Sequence, residues 1–239
     1  MQKTNSRIDG DFMKKKNSSN SGFFYGLWDF WGPLLVTLSL YTGIRVLLAE
    51  ARYIPSGSMT PTLQINDRLF IEKLTFRRRT PKRGEIVVFN SPHSFDKTLI
   101  SQRLRPLPSN LKCVFLSLPI VNSFPAIGDQ ACDAYIKRVV AIEGDEILVG
   151  LRGELYVNGE LLEESYVRNY CGLSIANISN CKALRSRVPE GNVFVLGDNR
   201  SNSWDGRYWP ASPFLPTKEI IGKASWRFWP LTRMGPVHE

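Results

Sequence analysis

Tyr135-Ile136-Lys137-Arg138-Val139-Val140-Ala141-Ile142-Glu143-Gly144-Asp145 is the stretch on which the fold of this chain turns. Its β-branched residues and leading tyrosine favour a pleated, extended backbone, and Gly144-Asp145 supplies a stop. Neighbouring side chains of a strand point to opposite faces, so Lys137 and Arg138 are divided between them. If one face is core, one of the two charges is turned inward. A buried lysine is costly to protonate, its pKa falls, and it serves as a base near neutrality. An edge strand with both charges solvated is the other reading of the pair.

Runs of the same kind recur along the chain, at 69–73, 85–90, 146–149 and 192–196, each bounded by Gly, Pro or Asp. Leu155-Tyr156-Val157-Asn158-Gly159-Glu160-Leu161 is a hairpin signal, with Asn-Gly at the turn. No long amphipathic helix is predicted beyond residue 50, and no internal repeat or glycine-rich phosphate loop stands out. The expected fold class is mainly β, with short helices at most.

The N-terminal part differs. Residues 1–23 are polar, rich in Lys, Ser and Asn, and read as a disordered tail. Residues 28–48 are largely apolar and long enough to cross a bilayer. Three readings of this run compete: a removable signal peptide ending near Ala49-Glu50-Ala51, a buried globular helix, and a retained anchor. The anchor, placed at 24–49, is preferred because the run exceeds a usual signal-peptide core and Arg45 would interrupt one. Near the end of a spanning helix, Arg45 can extend its head to water. The basic Lys14 to Lys16 cluster then places the N-terminus in the cytoplasm and residues 50–239 on the far side.

Two stretches look like insertions. Residues 93–133 carry prolines at 106, 108, 119 and 125, and residues 164–188 are rich in Asn and Ser. Each holds one cysteine pair, Cys113 with Cys132 and Cys171 with Cys181. Pairing within each stretch is one of three connectivities, and four free thiols are the alternative. Disulfides would fit the oxidising side of a membrane.

Composition narrows the function. Hydrophobic residues make up 43% of the chain, which rules out a disordered protein. The net charge of +9 is scattered and accompanies no recognisable nucleic-acid motif, so no nucleic-acid partner is expected. The two histidines, His93 and His238, give little support to a Ser-His-Asp triad, and no His or Cys pair has zinc-site spacing. Neither metal nor organic cofactor is expected.

Two further segments carry candidate chemistry. Ile54-Pro55-Ser56-Gly57-Ser58-Met59-Thr60-Pro61-Thr62-Leu63 is an irregular loop where a serine can attack a carbonyl beside backbone amides; alone, it reads more readily as a linker. Gly197-Asp198-Asn199-Arg200-Ser201-Asn202-Ser203-Trp204-Asp205-Gly206-Arg207 packs two acids and two arginines into a short stretch, a structured polar network able to orient a lysine.

In this order, and after an anchor, these segments resemble the sequence boxes of type I signal peptidases. Pro55-Ser56-Gly57-Ser58-Met59 is similar to the nucleophile box and Asn66-Asp67-Arg68-Leu69 to the short box after it. Lys137-Arg138-Val139-Val140-Ala141 with Gly144-Asp145 is similar to the lysine box, and Gly197-Asp198-Asn199-Arg200 with Ser203, Asp205 and Arg207 to the last box. The resemblance implies a β-rich peptidase domain over 50–239 with a smaller β extension at about 152–188. It implies a Ser58 nucleophile, a Lys137 general base and an oxyanion hole from the Ser58 N–H and the Ser56 hydroxyl. Ser203 is implied to hydrogen-bond the lysine amine, with Asp198, Arg200, Asp205 and Arg207 as support. The implied partners are signal peptides of exported preproteins and the lipid bilayer, with cleavage after small residues at −3 and −1. Three features depart from the pattern: Ser201 where many members carry an acid, so that an ion pair is expected to be missing; Glu85 where Asp is common; and the length of 93–133. The rival readings are another membrane-anchored Ser/Lys hydrolase and an inactive β adaptor.

Overall fold

The computed structural model describes residues 19–109, 112–113, 129–172 and 181–237, with side chains from Trp28 onward. Most of the predicted tail, parts of both predicted insertions and His238 lie outside these residues. The described chain falls into two units, Met1–Val46 and Leu47–Glu239.

The first unit is dominated by helix α1, Ser19–Leu47. Its segment Trp28–Leu47 is long and apolar enough to cross a membrane, with a mean hydropathy of 1.3. Pro33 lies inside the helix, and the Thr37 hydroxyl donates to the Pro33 carbonyl at 2.8 Å.

The second unit is mainly β. An eight-stranded antiparallel sheet has the order β1 (Ala49–Tyr53), β2 (Arg68–Glu72), β11 (Ile220–Trp229), β3 (Ile86–Asn90), β4 (Ala134–Ala141), β9 (Asn192–Leu196), β10 (Phe214–Pro216). The two-residue β12 (Gly235–Pro236) pairs with β11. A four-stranded sheet runs β7 (Glu160–Leu161), β6 (Leu155–Val157), β5 (Glu146–Val149), β8 (Leu184–Arg187). Among the described residues, this unit has the single-turn helices α2 (Thr75–Arg78), α3 (Pro92–Phe95) and α4 (Lys97–Ser101).

Burial patterns explain these strands. Ile86 to Phe89 of β3 are all buried, so the segment is apolar throughout, whereas β2 and β5 alternate. The Asn158-Gly159 turn has φ of 55° and 87°, the left-handed geometry that a two-residue hairpin demands. Asn158 also fixes its flank: Oδ1 accepts from Glu146 N–H at 2.9 Å, and Nδ2 donates to Asp145 Oδ1 at 3.0 Å.

Among the described residues, three apolar clusters fill the unit. One joins the two sheets through Val140, Phe194 and Leu196 against Ile147, Val149 and Leu155. Another lies behind β3 and β9, around Phe89, Val195 and Trp209. The remaining one draws Ile54, Met59 and Leu63 of the irregular loop onto Leu69, Ile71, Ile86 and Val88. That last cluster makes the loop part of the core. Both cysteine pairs form within their own stretch, Cys113–Cys132 and Cys171–Cys181.

Candidate active site

Strand β4 carries Lys137 and Arg138 to opposite faces, yet both are buried, at 3% and 1% exposure. The sequence reading placed only one of the two inward. The second is accommodated because Arg138 enters a polar network. Its Nε and Nη2 donate to Asp198 Oδ1 and Oδ2 at 2.9 and 2.8 Å, its Nη1 donates to the Gly84 carbonyl at 2.7 Å, and its guanidinium lies 3.9 Å from the Tyr166 ring centre. A buried charge needs this degree of pairing to be tolerated.

Lys137 has sparser company. Its Nζ lies 2.8 Å from Ser58 Oγ and donates to the Ile136 carbonyl at 2.9 Å. Burial drives the ammonium towards its neutral form, while the Asp205 and Asp198 carboxylates pull the other way; the balance lowers the pKa to about 8.

Ser58 sits on a loop pinned at several points. Met59 and Leu63 are fully buried, and Leu63 N–H donates to the Met59 carbonyl at 2.9 Å. From the last box, Asn199 N–H donates to the Ser58 carbonyl at 3.1 Å, and Asn199 Nδ2 donates to the Gly57 carbonyl and Thr60 Oγ1 at 3.2 and 3.0 Å. The Thr62 hydroxyl donates to Asp198 Oδ2 at 2.6 Å. Asn199 and Thr62 were quoted in the sequence motifs without a role, and the structure makes them the fasteners between the two loops.

Gly197 is required by close approach. A Cβ there would lie 2.2 Å from Ser203 Oγ and 2.5 Å from the Ser58 carbonyl oxygen. Asp205 accepts from Gly197 N–H at 3.0 Å and from Arg207 Nε and Nη2 at 2.8 and 2.9 Å. Burial raises the Asp205 carboxyl, but Arg207 and the Gly197 amide outweigh it and hold the pKa below the ordinary value. Arg207 also donates to the Arg200 carbonyl at 3.0 Å. Arg200 donates to the Gly197 carbonyl at 3.2 Å and forms a fully buried ion pair with Glu164. Arg200 thus takes its acid from the stretch after β7.

Two predicted residues are placed differently from the rest. Ser203 is buried, and its side chain lies beside the Asp205 carboxylate, which it helps to hold below the ordinary value. Ser56 is exposed, two residues before Ser58. Among the described residues no cluster of His, Cys, Asp or Glu is arranged to hold a metal ion. Glu85 is buried with Arg79 and Lys223. Burial raises its carboxyl, the Arg79 and Lys223 cations and the Lys82 N–H overcome that, and the pKa falls to about 2.

A family model described as signal peptidase, peptidase S26, matches residues 27–229. A probable signal peptidase I-2 from Synechocystis is 39% identical over 209 residues, covering 87% of this chain and 76% of that protein. A signal peptidase I from Leptolyngbya laminosa is 35% identical over 204 residues, covering 85% and 79%. A crystal structure of a signal peptidase I from Enterococcus faecalis V583 is 23% identical with a TM-score of 0.38, the match covering 62% of this chain and 98% of that one. The sequence matches define the class, a serine peptidase. The chain belongs to the signal peptidase I family, peptidase S26.

Proposed function

We propose that this chain is a membrane-anchored endopeptidase that removes N-terminal signal peptides from exported preproteins, with Ser58 as nucleophile and Lys137 as general base. One observation carries the reading: the buried Lys137 Nζ lies 2.8 Å from Ser58 Oγ. A neutral amine takes the hydroxyl proton as Oγ attacks the scissile carbonyl. The Ser58 N–H and the Ser56 hydroxyl receive the developing oxyanion. Lys137 then returns its proton to the departing amine, leaving an ester on Ser58. Water attacks that ester, giving its proton to Lys137, and Oγ leaves as the restored hydroxyl. Ser203 serves the amine after its side chain turns from Asp205.

The N-terminus is cytoplasmic and the peptidase domain extracytoplasmic. The Lys14 to Lys16 cluster and the two disulfides support that orientation. Ten residues from Leu48 to Ser58 span at most about 35 Å, which keeps the serine near the bilayer surface. A signal peptide binding as an added strand presents alternate side chains to the enzyme, so residues −1 and −3 enter pockets that accept small side chains.

The test is cleavage of a model preprotein by the purified chain, with the product N-terminus sequenced. Ser58→Ala and Lys137→Met each abolish cleavage while the protein stays folded. Ala→Phe at −1 or −3 of the substrate blocks cleavage, and at −2 it does not. Activity above a few per cent of wild type in either variant removes that residue from the mechanism.

A further inference from the structure

Both carboxylates that bear on Lys137 lead back to one residue outside every sequence motif. Glu164 follows β7 in the chain, and its side chain is fully buried in an ion pair with Arg200. The Arg200 carbonyl accepts from Arg207, which holds Asp205. The Tyr166 hydroxyl donates to Glu164 Oε1 at 2.7 Å, and the Tyr166 ring lies 3.9 Å from the Arg138 guanidinium, which holds Asp198. Three arginines and three acids are thereby joined in one buried network with no net charge, and two of its acids, Asp198 and Asp205, bear on the lysine whose protonation the proposed reaction depends on.

We propose that Glu164 is a positioning residue for the Ser58–Lys137 pair, acting through Arg200 on one side and through Tyr166 and Arg138 on the other. The proposal rests on the reading of Ser58 and Lys137 given above. Its physical content has two parts. Glu164 aligns the two arginine branches, and its charge cancels that of Arg200, so that the network behind Asp198 and Asp205, the two carboxylates that bear on Lys137, is balanced: Asp198, Asp205 and Glu164 against Arg138, Arg200 and Arg207.

Glu164→Gln separates these parts cleanly. Oε1 is the atom that Arg200 and Tyr166 both reach, while Oε2 is buried without a partner among the described residues. Glutamine keeps the acceptor and removes the charge. Arg200 then stands uncompensated, and an added positive charge favours the neutral amine. The acid limb of kcat/KM for preprotein cleavage is expected to move down by about half a pH unit. Per active site, counted with a serine-directed acylating inhibitor, kcat is expected to fall about tenfold or more with KM little changed. Tyr166→Phe breaks the hydroxyl bond but keeps the charge, so kcat falls while the limb stays in place. A residue that only stabilises the fold would lower the count of active sites and move neither kcat per site nor the limb.

An unchanged limb and unchanged kcat per site in Glu164→Gln overturn the proposal. If that variant does not fold, Tyr166→Phe decides, and wild-type kcat per site there overturns it equally. Ser58→Ala is run beside them: if it stays active, the proposed dyad has failed; if it is dead while the Glu164 and Tyr166 variants match wild type, only the positioning role has failed.

Discussion

Lys137 is held where its charge is unwelcome, and the consequence has two measurable signs. With a pKa of about 8, the amine gains a proton as pH falls through that value. The proposed base must be neutral to act, so kcat/KM should fall about tenfold per pH unit below about 8. A limb centred near pH 10 would mean that the lysine is solvated in the working enzyme. The same burial acts on stability. Between about 8 and the roughly 10.4 of a free lysine, the unfolded chain holds more protons than the folded one, so stability rises with pH across that window. Below about 8 both states are protonated and the full penalty persists. Lys137→Met removes it, and the variant is expected to unfold at pH 7 no lower in temperature than wild type and to lack the rise above pH 8. Arg138 behaves oppositely, because its charge is paired: removing the guanidinium leaves the buried Asp198 carboxylate with the Thr62 hydroxyl but no counter-charge from Arg138, which should cost about 3–5 kcal/mol. Equilibrium unfolding of Arg138→Met in urea measures that loss, and a change under about 1 kcal/mol contradicts it.

Two loops and one strand make the site, and their contact is as important as their content. Gly197 is where the loops touch. Gly197→Ala places a methyl group against the Ser58 carbonyl and the Ser203 hydroxyl, forcing the loops apart. Cleavage should drop by about 100-fold or more, because a displacement near 1 Å is enough for such a loss. Gly159→Ala is the contrasting case. Its φ is 87° and nothing lies within 4 Å, so it strains the hairpin by about 1–2 kcal/mol and leaves kcat unchanged. Equal activity in the two variants would show that the loop contact is immaterial. Legibility in the sequence follows a similar division. Strands β5 and β9 match their predicted bounds at both ends, since each is a β-branched run with turn residues on either side. The ten-residue β11 went unread, although it links β2 to β3 in the middle of the sheet. Gly222, Lys223 and Ser225 interrupt its apolar pattern, and register shifts break its alternation. Strand β1 was hidden in Ala49-Glu50-Ala51, which also fits a cleavage site. The motif residues of the site could be read from their boxes, whereas Glu164 and Tyr166 could not: Glu163-Glu164 looks like a solvated pair, and only tertiary structure brings it to Arg200.

The second unit carries all three apolar clusters within residues 54–237, so residues 50–239 have a core of their own. They also carry apolar surface that the core does not use. Trp226 and Trp229 are nearly half exposed, and Leu231 and Met234 more so. Packing in the interior therefore does not account for the two tryptophans. Phe70 joins the group, opposite Trp226 in the β2–β11 register and with its ring centre 4.5 Å from that of Phe228. Amphipathic aromatics of this kind favour the boundary between lipid and water. Residues 50–239, freed of α1, are accordingly expected to bind vesicles of mixed zwitterionic and anionic lipid. Trp226→Ala with Trp229→Ala should weaken binding about tenfold, the scale set by withdrawing roughly 1.4 kcal/mol of apolar burial. The doubly substituted domain should still be acylated at Ser58 by a soluble serine-directed inhibitor at the wild-type rate. Within the intact chain, the same two changes should slow cleavage of a vesicle-embedded preprotein more than cleavage of a short soluble peptide, because only the former is met at the bilayer surface. Sedimentation with vesicles measures the first effect and paired cleavage assays the second. Vesicle binding that is indifferent to both tryptophans would show that this apolar face does not meet lipid.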